Sequence, residues 1–270
     1  MAEFEKLLIV GCGNMGGAML AGWLAAGEDP ARFEVLDPAL ESAPAGVTIH
    51  RAAPANPDHD AVLLGFKPQQ LPALAPGLQP LMGEGVTVFS LLAGIDLSML
   101  AGAFPSAAAH VRGMPNLAAR IGKSPVILAE TGLTAPQRDA AQALFGKLGT
   151  ALWLEDEAQF DLVTALVGSG PGFVYRFIDA LAAAGAELGL DSALADQLSL
   201  AMIDGAASLA AAADASPAEL ADRVASPGGM TREGLNVLDD GNALKSLLIA
   251  TLCATAEKGG ELARQAREQD

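Results

Sequence analysis

The chain has 270 residues, 51% hydrophobic and 18% charged, which is enough apolar material for two modest packed domains and too much for a disordered chain. Lys and Arg total 16 against 32 Asp and Glu, a net charge of −16, so a surface that collects nucleic-acid or anionic-membrane phosphates is excluded, and no apolar run reaches membrane-spanning length. Aromatic residues are only 4%, so the core must be built mainly from Ala, Leu, Val and Ile. The two cysteines, Cys12 and Cys253, form no CxxC pair. Neither a metal site nor a disulfide framework is expected, and two thiols suit a reducing cytoplasm. The charged N-terminal segment, residues 1–6, leads into a short apolar run that stops at Gly11, which reads as a first strand and not as a signal peptide.

Taken in order, residues 7–10 are that first strand. Residues 14–26 have helical spacing and end at Gly27, a natural helix stop. Residues 33–36 form a second strand and 47–49 a short third. Residues 61–66 form a fourth, ended by Lys67-Pro68, and 86–91 a fifth. Residues 109–112 and 126–128 are two more. Strands alternating with helices predict a parallel, doubly wound sheet. After Leu154 the strand-like runs stop. Long Ala/Leu segments with helical periodicity follow, over 173–188, 193–213, 217–224 and 243–267. The expected organisation is an α/β domain over residues 1–157 and an all-helical domain over residues 158–270, with no repeat and no low-complexity linker.

The first strand runs into Val10-Gly11-Cys12-Gly13-Asn14-Met15-Gly16, a GxGxxG turn that opens a helix. Gly11 permits a tight turn, Gly13 lets backbone approach a pyrophosphate, and Gly16 lets helix and strand pack closely, while the helix start offers N–H donors to the phosphates. The turn alone is a weak signal; the strand before it and the helix after it make it a dinucleotide site. Asp37 closes the second strand about twenty residues beyond Gly16, where a carboxylate accepts from the ribose hydroxyls and repels a 2′-phosphate. No Arg follows it directly. The reading is a nicotinamide cofactor, NADPH or NADH, with NADH favoured.

Three more segments sit where strands end: Gly65-Phe66-Lys67-Pro68, Leu91-Leu92-Ala93-Gly94, and Arg112-Gly113-Met114-Pro115-Asn116. In the helical half, residues 163–172 break a helix and restart it. Residues 225–231 are Ala225-Ser226-Pro227-Gly228-Gly229-Met230-Thr231. Ser226 reads as a helix N-cap with Pro227 in the first helical position. Two glycines in a first turn each disfavour helix by roughly 1 kcal/mol, so they need another reason. Bare N–H groups that receive a small carboxylate supply one.

On these motifs, together with Gly168-Ser169-Gly170-Pro171, the chain resembles the pyrroline-5-carboxylate reductase family over essentially its whole length. The resemblance implies a Rossmann-type N-terminal domain and a C-terminal helical dimerisation domain. It implies NAD(P)H-dependent reduction of 1-pyrroline-5-carboxylate to L-proline, the last step of proline biosynthesis, in a homodimer that can assemble into a decamer. Cofactor contacts carry over onto Val10, Gly11, Cys12, Gly13, Asn14, Met15, Gly65, Phe66, Lys67, Pro68 and Ala93. Substrate contacts carry over onto Glu157, Arg223, Val224, Ser226, Met230 and Thr231, and the Gly228-Gly229 pair joins them. The chain departs from the family at Ala52, where Asn is usual, at Leu91-Leu92, and at Gly172-Phe173.

A protonated cyclic imine is already electrophilic, so the chemistry needs a hydride held in line more than an acid–base pair. None of His50, His59 and His110 joins a motif. Thr231 is placed to hydrogen-bond the ring nitrogen and is the one residue assigned a catalytic role. Two other readings stay open. Another Rossmann-plus-helical reductase, an imine reductase or a β-hydroxyacid dehydrogenase, is one. The dehydrogenase would want a helical-domain Lys, and Lys245 and Lys258 sit in no motif. A non-catalytic nucleotide-binding protein is the other, and it would have no use for residues 226–231.

Overall fold

The computed structural model describes residues 4–55 and 57–267; the start of the charged N-terminal segment lies outside it. Eight strands form one sheet: β1 Leu7–Val10, β2 Phe33–Leu36, β3 Thr48–His50, β4 Ala61–Leu64, β5 Thr87–Ser90, β6 Ala109–Met114, β7 Ser124–Thr131 and β8 Gly149–Trp153. Their order is β3-β2-β1-β4-β5-β6-β7-β8. β1 lies between β2 and β4, with Val10 level with Leu36 on one side and Leu64 on the other. The chain thus winds outward in both directions from β1. That reversal puts a crevice beyond the carboxyl ends of β1 and β4, where open α/β sheets bind ligands.

The sheet is parallel except where β6 meets β7. An all-parallel sheet was expected, and the reason for the difference is length. Residues 115–123 link the two strands, fewer than the roughly dozen residues that a parallel crossover needs. β8 pairs with β7 at the far edge and was not anticipated. Its sequence, Gly-Thr-Ala-Leu-Trp, buries only Ala151 and so lacks an apolar run to read. β4 stops at Leu64, two residues short of the expected end, because Gly65 turns away against Gly11.

Helices α1 Asn14–Ala25, α2 Leu71–Leu78, α3 Leu97–Ala103 and α4 Ala135–Gly146 cover the sheet. Leu7, Ile9, Phe33, Leu63, Phe89 and Val111 point to the face that also buries Trp23 and Phe145. Leu8, Val10, Val62, Leu64 and Val88 point to the other, against Leu71, Leu78, Leu100 and Phe104. Alternate residues of one strand therefore fill two cores, which is why the central strands read as unbroken apolar runs. Trp23 stacks on Phe33 at 5.4 Å, meets Phe145 edge-on, and donates its indole N–H to the Leu144 carbonyl at 2.9 Å.

A short helix α5, Phe160–Val163, passes into a π-turn over Thr164–Gly168. This is the expected break, and the wider turn is its physical form. The chain divides at this point into two compact units: one running to Gly168 and taking in the last helix from Thr255 onward, the other Ser169–Ala254. The second unit is all helical: α6 Gly170–Glu187, α7 Ser192–Ala212, α8 Pro217–Val224, α9 Met230–Asp239 and the first part of α10 Ala243–Arg267. Asp191 caps α7 by accepting from Leu194 N–H, and Ser216 and Glu219 form a reciprocal capping box on α8.

Candidate active site

At the end of β1, Gly11 adopts φ +84°, and its N–H donates to the Leu36 carbonyl at 3.0 Å. A side chain there would be strained by the backbone, and its Cβ would also lie 2.9 Å from the Phe66 nitrogen. A Cβ on Gly16 would come within 2.7 Å of the Gly11 carbonyl oxygen, so Gly16 sets how closely α1 approaches the turn. Gly13 is different: a Cβ on it would meet nothing within 4 Å. Gly13 is the N-cap of α1, makes no side-chain cap, and the first turn holds no acidic residue. The helix start beginning Asn14-Met15-Gly16 is thus an open, uncapped set of N–H donors, the donor set a pyrophosphate requires.

Asp37 follows β2 and stands beside this turn. One carboxylate oxygen accepts from Cys12 N–H at 2.9 Å and the other from Ala39 N–H at 2.9 Å. The carboxylate is thereby fixed in orientation, with lone pairs left for ribose hydroxyls. Burial, and secondarily the Asp37 charge, push the Cys12 thiol above its ordinary pKa, so at neutral pH it is a protonated, buried filler. Arg51, just after β3, donates to the carbonyls of Asp37, Pro38 and Glu41. The sequence reading found no Arg beside Asp37; parallel pairing of β2 with β3 brings this one in.

The turn after β4 meets the turn after β1. Gly65 N–H donates to the Val10 carbonyl at 2.8 Å, and a Cβ on Gly65 would press within 2.6 Å of the Gly11 oxygen. Phe66, Lys67 and Pro68 continue along this rim, and Pro68 opens a 3₁₀ turn. Exposed Ala93 and Gly94, with φ +78°, end the next strand's turn. The residues named from sequence for the cofactor therefore lie on one edge, in the turns after four neighbouring strands, β2, β1, β4 and β5.

Glu157 lies in the same unit, in a 3₁₀ turn capped by Asp156. Its Oε1 accepts from Leu97 N–H at 2.9 Å and from the Arg112 guanidinium at 2.8 Å. Arg112 lies 3.8 Å over the Phe160 ring. Asn116 donates to the Val167 carbonyl and so ties the end of β6 to the π-turn. Sequence reasoning gave Arg112 and Asn116 no role. The available signal was a lone charge inside an apolar strand, which stays buried only when paired.

The remaining substrate positions fall in the helical unit. Arg223 and Val224 end α8. The expected cap is corrected: Ser226 does not cap the next helix and Pro227 does not begin it. Gly229 is the N-cap and Met230 the first helical residue. Gly228 takes φ +71°, and Gly229 N–H donates back to the Ser226 carbonyl at 2.9 Å. Residues 226–229 close a tight turn before the helix, so the glycines serve the turn and not the first helical turn. The cap position still lacks a side-chain oxygen, so α9 begins with no side-chain cap on its first-turn N–H groups, those of Met230 and Thr231. Arg232 holds the turn from behind, donating to Asp222 and to the Ala225 carbonyl.

Comparison with known proteins adds to this geometry. A family model described as pyrroline-5-carboxylate reductase dimerisation matches residues 157–262, and one described as NADP oxidoreductase coenzyme F420-dependent matches residues 6–94. The chain is 34% identical to the pyrroline-5-carboxylate reductase of Pseudomonas aeruginosa, over 96% of this chain and 97% of that one. It is 32% identical to that of Methanosarcina acetivorans, over 97% and 100%. A solved pyrroline-5-carboxylate reductase from Coxiella burnetii superposes with TM-score 0.88 at 28% identity, over 96% of this chain and 99% of that one. The Plasmodium falciparum pyrroline carboxylate reductase, solved with NADP bound, shares the fold at TM-score 0.81 and 23% identity, over 97% and 100%.

Proposed function

The chain belongs to the pyrroline-5-carboxylate reductase family, and we propose that it reduces 1-pyrroline-5-carboxylate to L-proline with a hydride from a nicotinamide dinucleotide. The observation that carries this reading is the relationship at 34% identity over 96% of the chain to an enzyme of that name. The uncapped start of α1 is suited to the pyrophosphate, and the uncapped start of α9 to the substrate carboxylate. Bound cofactor supplies the hydride. Its electron pair forms the new C–H bond, the C=N π pair becomes the nitrogen lone pair, and the iminium proton remains as the amine N–H. No separate acid is needed, so the chain's task is to orient the imine. The carboxylate on residues 228–231 fixes which carbon faces the cofactor, and the Thr231 hydroxyl holds the ring nitrogen.

NADH is the favoured cofactor. The Asp37 carboxylate stands where a 2′-phosphate would go, and the terminal nitrogens of Arg51, the nearest compensating cation, are turned onto three carbonyl oxygens. We take the functional boundary as 157/158; the family model described as pyrroline-5-carboxylate reductase dimerisation, which matches residues 157–262, supports a boundary in this region. The helical domain forms a homodimer, with a decamer as the further assembly, and the two free thiols suit the cytoplasm.

Purified protein given 1-pyrroline-5-carboxylate should oxidise NADH and form proline, followed by the loss of reduced-nicotinamide absorbance and by amino-acid analysis. Folded protein that turns over with neither cofactor refutes the assignment.

A further inference from the structure

Arg112 is the most deeply buried cation in the α/β unit that has no assigned task. Its residue exposure is 5%, and it sits inside β6 between Val111 and Gly113. A guanidinium so far from water needs a partner, and among the described residues two features meet it: the Glu157 carboxylate at 2.8 Å and the face of Phe160 at 3.8 Å. Phe160, itself 2% exposed, covers the guanidinium, so Arg112 cannot touch a ligand directly. Glu157 can. Its side chain is 31% exposed against 6% for Arg112. Both of its hydrogen bonds, from Arg112 and from Leu97 N–H, fall on Oε1. Among the described residues Oε2 has no partner.

The location fits a ligand. Ser90, the last residue of β5, lies level with Arg112 on β6, and the turn after Ser90 carries Ala93 and Gly94 before reaching Leu97. Asp37, after β2, would hold the adenosine ribose of the cofactor, and the turn after β1 its pyrophosphate. A dinucleotide laid across these turns in order brings its nicotinamide toward the turns after β4 and β5. Glu157 therefore stands at the end of the crevice where the hydride is delivered.

We propose that Arg112 is a positioning residue, holding Glu157 by one carboxylate oxygen so that the other turns its negative charge toward the cationic imine ring. The inference rests on the reading of the substrate as a protonated cyclic imine. A fixed anion facing the iminium ring binds the substrate as a cation, and the buried fork of Arg112 keeps that anion from swinging into water.

The test is a double-mutant cycle on the full-length protein, with kcat/KM for pyrroline carboxylate and the NADH dissociation constant, from nicotinamide fluorescence, measured in each variant. Glu157→Gln and Arg112→Met should each lower kcat/KM roughly tenfold or more, the loss of one charge-assisted bond. Most of the loss should be in KM, with NADH binding within about twofold of wild type. The double variant should be no worse than the poorer single, because Arg112 acts only through Glu157. Arg112→Lys keeps the charge without the planar fork. It should cost severalfold in the wild-type background and nothing in the Glu157→Gln background, so the cycle stands even if Arg112→Met fails to fold. Additive losses, or Arg112 variants that lower the melting temperature with kcat/KM unchanged, would show an ion pair that only braces the 3₁₀ turn and would overturn the proposal. Wild-type protein that makes no proline would sink the reaction instead, leaving this cycle without its substrate and the two failures plainly distinct.

Discussion

The α/β unit buries Trp23, Phe33, Phe89, Phe104, Phe145 and Phe160 almost completely. The helical unit, among its described residues, buries only Ala182, Ala195, Ala225 and Ser199. It leaves Tyr175, Phe177 and Leu188 in water, and α7 carries Leu194, Leu198, Met202 and Leu209 exposed along one stripe. Two units of one chain, with similar apolar content, thus reach different ends. Strands with two covered faces finish their core within the monomer. Long Ala/Leu helices with an uncovered stripe do not, and exposed apolar surface of this extent marks an interface. The first unit completes its core by itself; the second leaves apolar helices uncovered, within the span matched by the family model described as pyrroline-5-carboxylate reductase dimerisation, and a second copy of the same helices is the partner proposed for them.

The contrast can be broken most forcefully at Trp23. Truncation to Ala removes an indole wedged between Phe33 and Phe145 together with its bond to Leu144. The expected loss is about 3–5 kcal/mol, unchanged when protein concentration is varied. Denaturant unfolding at two concentrations checks this. Leu198→Asp places a charge on the open stripe of α7 and should do the reverse: shift the protein to monomer in light scattering and make the residual stability depend on concentration. A Leu198→Asp protein that stays dimeric and fully stable would mean that this stripe faces water in the assembly and that the two units differ less than their burial suggests.

How far the sequence foretold each unit follows from the same contrast. Period and punctuation were enough for β1, an unbroken apolar run, for α1, which stops before the left-handed Gly27, and for α8, which has the Ser216 capping box. They failed for β8, an edge strand with one buried residue, and for the antiparallel β6–β7 pair, where direction is set by the length of residues 115–123 and not by any property of the strands. The tight turn after β1 was legible because Gly11 and Gly16, five residues apart, set its geometry against each other. The start of α9 was displaced by three residues because Ser226 is a better cap by type, while the left-handed φ of Gly228, a property of the closed turn, decides where the helix can begin. Arg51 and Arg112 were not legible as partners at all, since the pairing of β2 with β3 brings Arg51 to Asp37 and the 3₁₀ turn after β8 brings Glu157 to Arg112.

Within the helical unit, the substrate turn sharpens the comparison, because a change there should spare the cofactor edge. A Cβ on Gly229 would already sit 3.0 Å from the Ser226 carbonyl oxygen. Gly229→Val therefore disturbs the turn as well as the approach to it, and should raise KM for pyrroline carboxylate strongly with little change in NADH affinity. Thr231→Ala removes only a hydroxyl from the first turn of α9. If that hydroxyl donates to the nitrogen lone pair that forms as hydride transfer proceeds, kcat falls by the worth of one neutral hydrogen bond, about 0.5–1.5 kcal/mol or severalfold. Unaltered kcat in steady-state assays would reduce Thr231 to a bystander and leave orientation by the carboxylate alone.

The smallest effect is expected at the cofactor edge itself, and it concerns choice and not rate. The Asp37 carboxylate is held by Cys12 N–H on one oxygen and Ala39 N–H on the other, so it cannot rotate away from an incoming 2′-phosphate. Repulsion between two anions a few ångströms apart at a half-exposed site is screened by water, and a discrimination on the order of 1.4 kcal/mol, tenfold in kcat/KM, is what such a site supplies. Replacing Asp37 by Ser removes the charge but keeps a short acceptor that can cap Cys12 N–H. NADH should then lose a ribose contact while NADPH loses a repulsion, and the two cofactors should converge from opposite directions. The same substitution leaves Arg51 in place, and its guanidinium is then free to leave the backbone carbonyls it holds for the phosphate. A wild-type enzyme that already prefers NADPH tenfold would place that rearrangement in the native protein, with Arg51 outweighing Asp37. Measuring both cofactors on wild type, Asp37→Ser and Arg51→Ala separates the cases: an anion that rejects the phosphate yields its preference to the first substitution, whereas a cation that recruits it yields to the second.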